Sequence, residues 1–382
     1  MESLESVFWA SFFLVSYIYL GYPLATMLLA HLSSMRVAKG AYEPTISILI
    51  AAYNEEDNIR KTIENKLSLQ YPQEKLELII VSDASTDRTD EIVSEFSSER
   101  IKFIRQQKRE GKTAALNIAA LNASGEILVF SDANSIYEPE ALRRLVENFH
   151  DPKVGYVTGK MIYSRPHGSS TEDGCSTYMK YENVLRSYET QIGSIVAVDG
   201  GIDAVRTSLY EPMRSDQIPD FVLPLKVVEK RFRVVYEPAA ILREPALASS
   251  NDEYRMRVRV TLRSLWALRD MRHLFNFVRY GIFSWQLISH KVLRYNAFFF
   301  LLSLWVVSGL LAQEESLYFW VFLCQSIFYL VASIGYLLDK AGYNWKGLSL
   351  PYYFTLINLA ACHACWKFLC REKVVIWQPR AG

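Results

Sequence analysis

Hydropathy divides the chain into three parts. Val7 to Ala30 is apolar and uncharged over 24 residues, longer than the ~20 residues a helix needs to span a bilayer. No Lys or Arg precedes it and no small-residue cleavage site leads into a new domain, so it reads as a transmembrane anchor rather than a removable signal. The middle part alternates apolar runs with helix-like segments. The runs Ile46–Ala51, Leu76–Val81, Ile101–Arg105, Glu126–Ser131, Val154–Tyr163 and Phe232–Tyr236 are expected strands. Helices are expected from a cap at Asn54 to about Leu69, then at Thr89–Phe96, Thr113–Leu121, Glu140–Phe149, Tyr178–Gln191 and Asp252–Arg269. Ser164 to Gly174 is polar with Gly and Pro and is expected to be a loop. This alternation implies an α/β domain built on a mostly parallel sheet flanked by helices. From Asn296 the chain is apolar again, with candidate spans Asn296–Ala312, Leu317–Leu338 and Leu350–Leu369.

The expected organisation is an anchor and basic linker (residues 1–40), a catalytic domain (41–250), basic interfacial helices (251–294) and about three C-terminal membrane helices (295–382). The formal net charge of +1 gives no sign of a nucleic-acid partner. His31, Arg36 and Lys39 follow the first apolar stretch, which by the positive-inside rule places the middle domain in the cytoplasm. The acidic link Gln313-Glu314-Glu315 and the basic Lys340 and Lys346 agree with alternating sides. The tail with Arg371, Lys373 and Arg380 then falls outside against the rule, so either the last stretch does not fully cross or the count is off by one. Five cysteines give no disulfide framework, and Cys362-His363-Ala364-Cys365 lacks the paired ligands of a zinc site.

Candidate chemistry gathers at the strand ends, where open α/β sheets bind ligands. Ala52-Tyr53-Asn54-Glu55 runs from a strand into a helix N-terminus, where free backbone N–H groups can hold a nucleotide; a plain capping turn explains the same residues. Asp83 ends the next strand and could accept from the N3–H of a uracil, or serve only the turn. Gly111-Lys112-Thr113 is not a phosphate-binding P-loop, because Gln106 stands where the first glycine belongs; Lys112 can still pair with a diphosphate as a single charge. Asp132 and Asn134, two residues apart at a strand end, could share a hard cation, Mg²⁺ or Mn²⁺, with substrate phosphates. Gly200 and Gly201 let a substrate approach the backbone. Asp220 is placed either to deprotonate an acceptor hydroxyl or to cap a helix. Arg255, Arg259 and Arg263 recur every four residues, with Trp266 continuing the stripe, suited to a diphosphate or to anionic lipid.

In their order these residues resemble the family 2 (GT-A fold) membrane glycosyltransferases, in the branch that includes cellulose, hyaluronan and poly-N-acetylglucosamine synthases. The resemblance runs from about Thr45 to Arg263. It implies that Ala52, Tyr53, Asn54, Glu55 and Asp83 bind nucleotide, that Lys112 serves the diphosphate, that Asp132 is the first acid of a metal-binding D-x-D, and that Asp220 is the catalytic base. The implied reaction is inverting transfer from a nucleotide sugar, with UDP as the expected nucleotide, to a glycan or polyprenyl-linked acceptor in surface polysaccharide assembly. The implied setting is the bacterial inner membrane, with other assembly proteins as further partners. Three departures stand out: Asn134 replaces the second acid of D-x-D, Pro219 replaces the acid before the base, and the Gln-x-x-Arg-Trp of processive synthases is missing, with Arg263-Ser264-Leu265-Trp266 the nearest match. A processive synthase and a non-catalytic nucleotide-sugar sensor are the alternatives. A nicotinamide-binding fold is disfavoured because Ala51-Ala52-Tyr53-Asn54 contains no G-x-G-x-x-G.

Overall fold

The structure, a computed structural model, describes residues 2–32, 34–96, 98–164, 170–245, 249–343 and 345–374. The chain opens with helix α1 (Glu2–Ser16), a π turn at Tyr17–Gly21, and α2 (Tyr22–Leu32). The irregular turn ends two residues before Pro23, which has no N–H to bond back into the preceding turn. The whole run, Glu2–Leu32, is long and apolar enough to cross a membrane.

The middle domain is one 8-stranded sheet in the order β3-β2-β1-β4-β7-β6-β8-β5. Strand β1 (Ile46–Ala52) pairs in parallel with β2 (Leu76–Ser82) and β4 (Ile127–Asp132), and β3 (Ile101–Arg105) pairs in parallel with β2. Every residue of β1 is buried, as expected for a parallel strand covered on both faces. Its side chains alternate: Leu49 and Ala51 enter one core cluster and Ile48 and Ile50 the other. Helices α3 (Ile59–Leu67), α4 (Thr89–Ser94) and α5 (Lys112–Leu121) are the crossovers. The two-residue β5 (Ile136–Tyr137) follows, then α6 (Ala141–Val146), β6 (Val154–Ser164), α7 (Ser170–Ile192), β7 (Asp203–Arg206), α8 (Pro219–Glu229) and β8 (Arg233–Pro245). Strand β7 runs antiparallel between β4 and β6, while β6 and β8 are parallel, so the sheet is mixed. The expected loop at Ser164–Gly174 is corrected in part: helix α7 already begins at Ser170, and residues 165–169 lie outside the described residues.

Helix α9 (Ser250–Asp270), whose Ser249 cap accepts from Asp252 N at 3.2 Å, leads through α10 (Phe277–Tyr280) and α11 (Ile282–Leu287) to α12 (Ala297–Leu310). At 1.5 Å per residue the 14 residues of α12 extend only about 21 Å, short of a bilayer core of about 30 Å. It bends by 58° against the preceding Ile282–Leu293 segment. Helix α13 (Ser316–Lys340) is long and apolar enough to cross; α14 (Lys346–Leu369) is not among the spans that qualify. Among the described residues two helices therefore meet the length and hydropathy requirements of a span, or three if the bent pair is one. Helix α14 instead lies along the domain. Near its start Ser349 and Tyr353 pack on Gly174, and beyond its end Trp266 Nε1 donates to Glu372 O at 2.8 Å and Lys373 pairs with Asp216 at 2.6 Å. The segment up to Val374 thus lies against α9 and the loop that carries Asp216.

Candidate active site

The carboxyl ends of β1, β2 and β4 meet at one edge of the domain. After β1 the chain turns at Asn54, whose φ is +52°. The Asn54 side chain does not cap a helix as expected: its Oδ1 accepts from Thr86 N at 2.8 Å, and α3 begins only at Ile59. Tyr53 lies under the Arg109 guanidinium, 3.6 Å from the ring centroid. Asp83 is 2% exposed, and its two oxygens accept from Glu110 N at 2.7 Å and Gly111 N at 2.9 Å. Burial raises its pKa in spite of these amides. In this structure Asp83 fixes the turn that starts α5, and through it Lys112.

Lys112 reaches across to Asp132, with Nζ 2.5 Å from Oδ1. Burial disfavours the ammonium, yet the carboxylates of Asp132 and Asp220 outweigh it and hold the lysine pKa above its usual value. Asp132 is the last residue of β4 and Asn134 lies in the turn that follows. That turn is gripped by one face of α3. Thr62 donates to Ala133 O at 2.6 Å, buried Lys66 donates to Ser135 O at 2.6 Å, and Asn65 exchanges bonds with Tyr137. The spacing of Thr62, Asn65 and Lys66 places them on a single helical face, a signal present in the sequence.

Asp220 sits in the first turn of α8 behind Pro219, and the cap position falls to Ile218, so Asp220 is not a cap. It is half-buried and carries no hydrogen bond or ion pair among the described residues. A Cβ on Gly200 would stand 2.7 Å from Asp220 Oδ2, so the glycine makes room for this carboxylate. Gly201 is corrected: it faces Leu242, Glu244 and Ser135 in the interior rather than the cavity. Asp203 on β7 was not anticipated. It is 1% exposed, and burial followed by the charge of Asp220 raises its pKa to about 8. Its strand is only four residues long and it lies outside any motif, so little in the sequence marks it.

A cavity of about 280 Å³ collects Glu55, Lys112, Asp132, Asn134, Gly200 and Asp220 at one end. Ala52, Tyr53, Asn54 and Asp83 lie beside it rather than in its wall. From α9 it takes Arg259 and Arg263. Arg263 donates to the carbonyls of Ser215 and Gln217, and burial together with the like charge of Arg259 lowers its pKa to about 10. Arg255 is corrected: it is exposed and off the cavity. A spacing of four overshoots the 3.6-residue turn by about 40° per step, so the stripe drifts away within two steps. Trp266 is drawn off likewise, packing its ring on Phe368 with centroids 4.8 Å apart. At the opposite end the cavity is walled by the membrane-side helices, through Tyr19, Lys291, Arg294 and Asn358. Here a buried chain of polar groups joins α2, α7 and the segment that leads into α12. Tyr22 donates to Glu189 at 2.5 Å, His290 lies between Glu189 at 2.7 Å and Glu182 at 3.1 Å, and Arg294 pairs with Glu182 at 2.5 Å.

A mixed sheet with its acidic groups at the ends of the first parallel strands defines a GT-A-type, nucleotide-diphospho-sugar transferase fold. The mannosyltransferase PcManGT from Pyrobaculum calidifontis, solved in complex with GDP-Man and Mn²⁺, shares that fold over 97% of this chain and 99% of its own, with a TM-score of 0.74 and 21% identity. Residues 47–200 match the family model described as Glycosyl transferase family 2. The probable glycosyltransferase YdaM of Bacillus subtilis (strain 168) is 29% identical over 282 residues, covering 67% of this chain and 66% of its own length. The poly-beta-1,6-N-acetyl-D-glucosamine synthase of Staphylococcus aureus (strain MSSA476) is 31% identical over 205 residues, covering 51% and 48%. This chain thus spans from about half to just under two thirds of the length of these curated relatives.

Proposed function

We propose that this protein is an inverting membrane glycosyltransferase that moves a sugar from a nucleotide sugar, UDP-linked in the first instance, to a glycan or polyprenyl-linked acceptor. The observation that carries this reading is the unpartnered Asp220 carboxylate, which shares one cavity with the Lys112–Asp132 pair. The nucleotide lies over the ends of β1, β2 and β4, beside Ala52 to Glu55 and Asp83, with its diphosphate toward Lys112, Arg259 and Arg263. Asp220 takes the proton of the acceptor hydroxyl as its oxygen bonds to the anomeric carbon. The bond from that carbon to the diphosphate oxygen breaks and its electron pair leaves with the nucleoside diphosphate.

The donor set fits a divalent cation. Asp132 and Asn134 present hard oxygens to the same cavity, and such sites leave their remaining positions to substrate phosphates. Asp132 and Asn134 would hold Mg²⁺ or Mn²⁺ there, where the ion would offset charge developing on the departing diphosphate. The two candidate spans and the charges of Arg36 and Lys39 support a bacterial inner-membrane protein with a cytoplasmic domain, serving surface polysaccharide assembly.

The test is nucleotide release by the full chain in detergent with Mn²⁺ and membrane-lipid extract, across UDP-, GDP- and dTDP-sugars. One donor is expected to be cleaved, and Asp220→Asn is expected to lower kcat by about 10²- to 10⁴-fold, the range for a general base, with nucleotide affinity kept. A folded Asp220→Asn protein with full turnover sinks the assignment.

A further inference from the structure

We infer that helix α7 holds the seat of the catalytic base and ties that seat to the membrane-side helices, with Arg186 and Glu189 as the positioning residues; the inference rests on the transferase reading above. Asp220 stands against Gly200, so the loop that leads from α7 to Gly200 decides where the carboxylate can lie. That loop is fastened to α7 at three points. Val196 N donates to Glu189 Oε2 at 3.1 Å, Arg186 Nε donates to Ala197 O at 3.1 Å, and Arg186 Nη1 pairs with Asp199 Oδ1 at 2.5 Å. The other oxygen of Asp199 accepts from Met161 N of β6 at 3.1 Å. The residue before Gly200 is thus clamped from both sides.

The same face of α7 reaches the other way. Glu182, Arg186 and Glu189 follow one another at four and three residues, which places them on one side of the helix, and all three are buried. Glu189 Oε1 accepts from Tyr22 of α2 and faces His290 Nδ1, while its Oε2 holds Val196. Glu182 takes the other nitrogen of His290 and the guanidinium of Arg294. Apolar residues of similar volume would pack these helices as well. Charges removed from water are stable only when matched in geometry, so a displaced partner is felt along the stripe instead of being absorbed. One carboxylate, Glu189, therefore spans from the apolar anchor to a backbone amide four residues before Gly200. The base is in its place when α2 is seated against α7.

The experiment uses the full chain in nanodiscs and reads hydrogen exchange over residues 194–201, UDP binding and nucleotide release. Tyr22→Phe is expected to speed exchange of the loop amides by about tenfold, the worth of one hydrogen bond to a charged group, with β1 and β2 unchanged. Arg186→Met is expected to speed it too, and to lower kcat by up to about 10²-fold, the effect of moving a catalytic group by about 1 Å. UDP affinity is expected to stay within about twofold, as for independent sites. Arg186→Lys keeps a cation for Asp199 and is expected to restore most of the lost kcat. Should Arg186→Met fail to fold, Glu189→Gln, of nearly the same shape, carries the same expectations. Unchanged loop exchange in Tyr22→Phe overturns the tie to the membrane side, and wild-type kcat in folded Arg186→Met overturns the positioning role. A loss of UDP affinity that matches the loss of kcat shows general loosening and overturns it as well. Because exchange is read without turnover, faster loop exchange in a protein that cleaves no donor refutes the transferase reading alone. Donor cleavage that is lost in Asp220→Asn but indifferent to the α7 variants refutes this inference alone.

Discussion

Gly200→Ala is the sharpest probe of how the base is held. The backbone there has φ +72°, and the added Cβ would stand 2.7 Å from Asp220 Oδ2, whereas ordinary contact begins at 3.4 Å. Two costs follow. The left-handed conformation costs a residue with a Cβ about 1–2 kcal/mol, and the carboxylate must retreat by roughly 0.7 Å, the difference between the two distances. Misplacement of a catalytic group by about 1 Å costs up to 10²-fold in rate, so kcat is expected to fall between about tenfold and 10²-fold. Gly342→Ala is the matched control: its φ is +81°, with nothing within 4 Å of the added Cβ, so it carries the backbone strain alone. The assay compares nucleotide release and thermal melting for both variants. Similar melting losses with activity lost only in Gly200→Ala are expected. Wild-type turnover by Gly200→Ala, or an equal loss in Gly342→Ala, refutes the steric argument.

A second expectation concerns pH. Asp203 has a folded pKa of about 8, raised by burial and by Asp220 and Asp199 against the weaker pull of Thr158 and Tyr156, compared with about 3.9 for an unfolded Asp. Between these values only the folded state keeps the proton, so this group's contribution to stability falls as pH rises from about 4 to about 8 and then levels. Asp203→Asn removes the titration, and its melting temperature is expected to gain on wild type as pH rises through that window; parallel profiles contradict this. A third concerns the metal: Asn134→Asp restores a second charged oxygen and is expected to lower the Mn²⁺ concentration for half-maximal nucleotide release, on the order of tenfold. An unchanged Mn²⁺ titration removes Asn134 from the site.

The parallel half of the sheet was legible because strands buried on both faces are written as unbroken apolar runs, and β1 and β2 extend only one residue beyond their expected ends. The acidic groups at those strand ends were legible for the same reason. What escaped was short or distant. Strands β5 and β7, with two and four residues, are too short to show a period. Arg255 was misplaced because a four-residue repeat is not a helical period. The bonds from His290 to Glu182 and Glu189 link positions more than 100 residues apart, and no local pattern announces them. The same holds for α14, which packs on Gly174 of α7 and Trp266 of α9 as well as on Phe328 and Tyr336 of α13, partners that no local pattern announces.

That a single cavity is walled by residues as far apart as Tyr19 and Ala361 also sets when the protein can begin to work. During synthesis the anchor emerges first and the sheet folds next, with Asp220 in place. The wall that includes Ile357 and Ala361 then takes on the order of ten seconds more to emerge, given about 140 further residues at typical elongation rates. Until it arrives, the cavity lacks the wall that α14 supplies. Catalytic competence therefore arrives late in synthesis, so a ribosome-bound or prematurely ended chain with an intact sheet would still be a silent one.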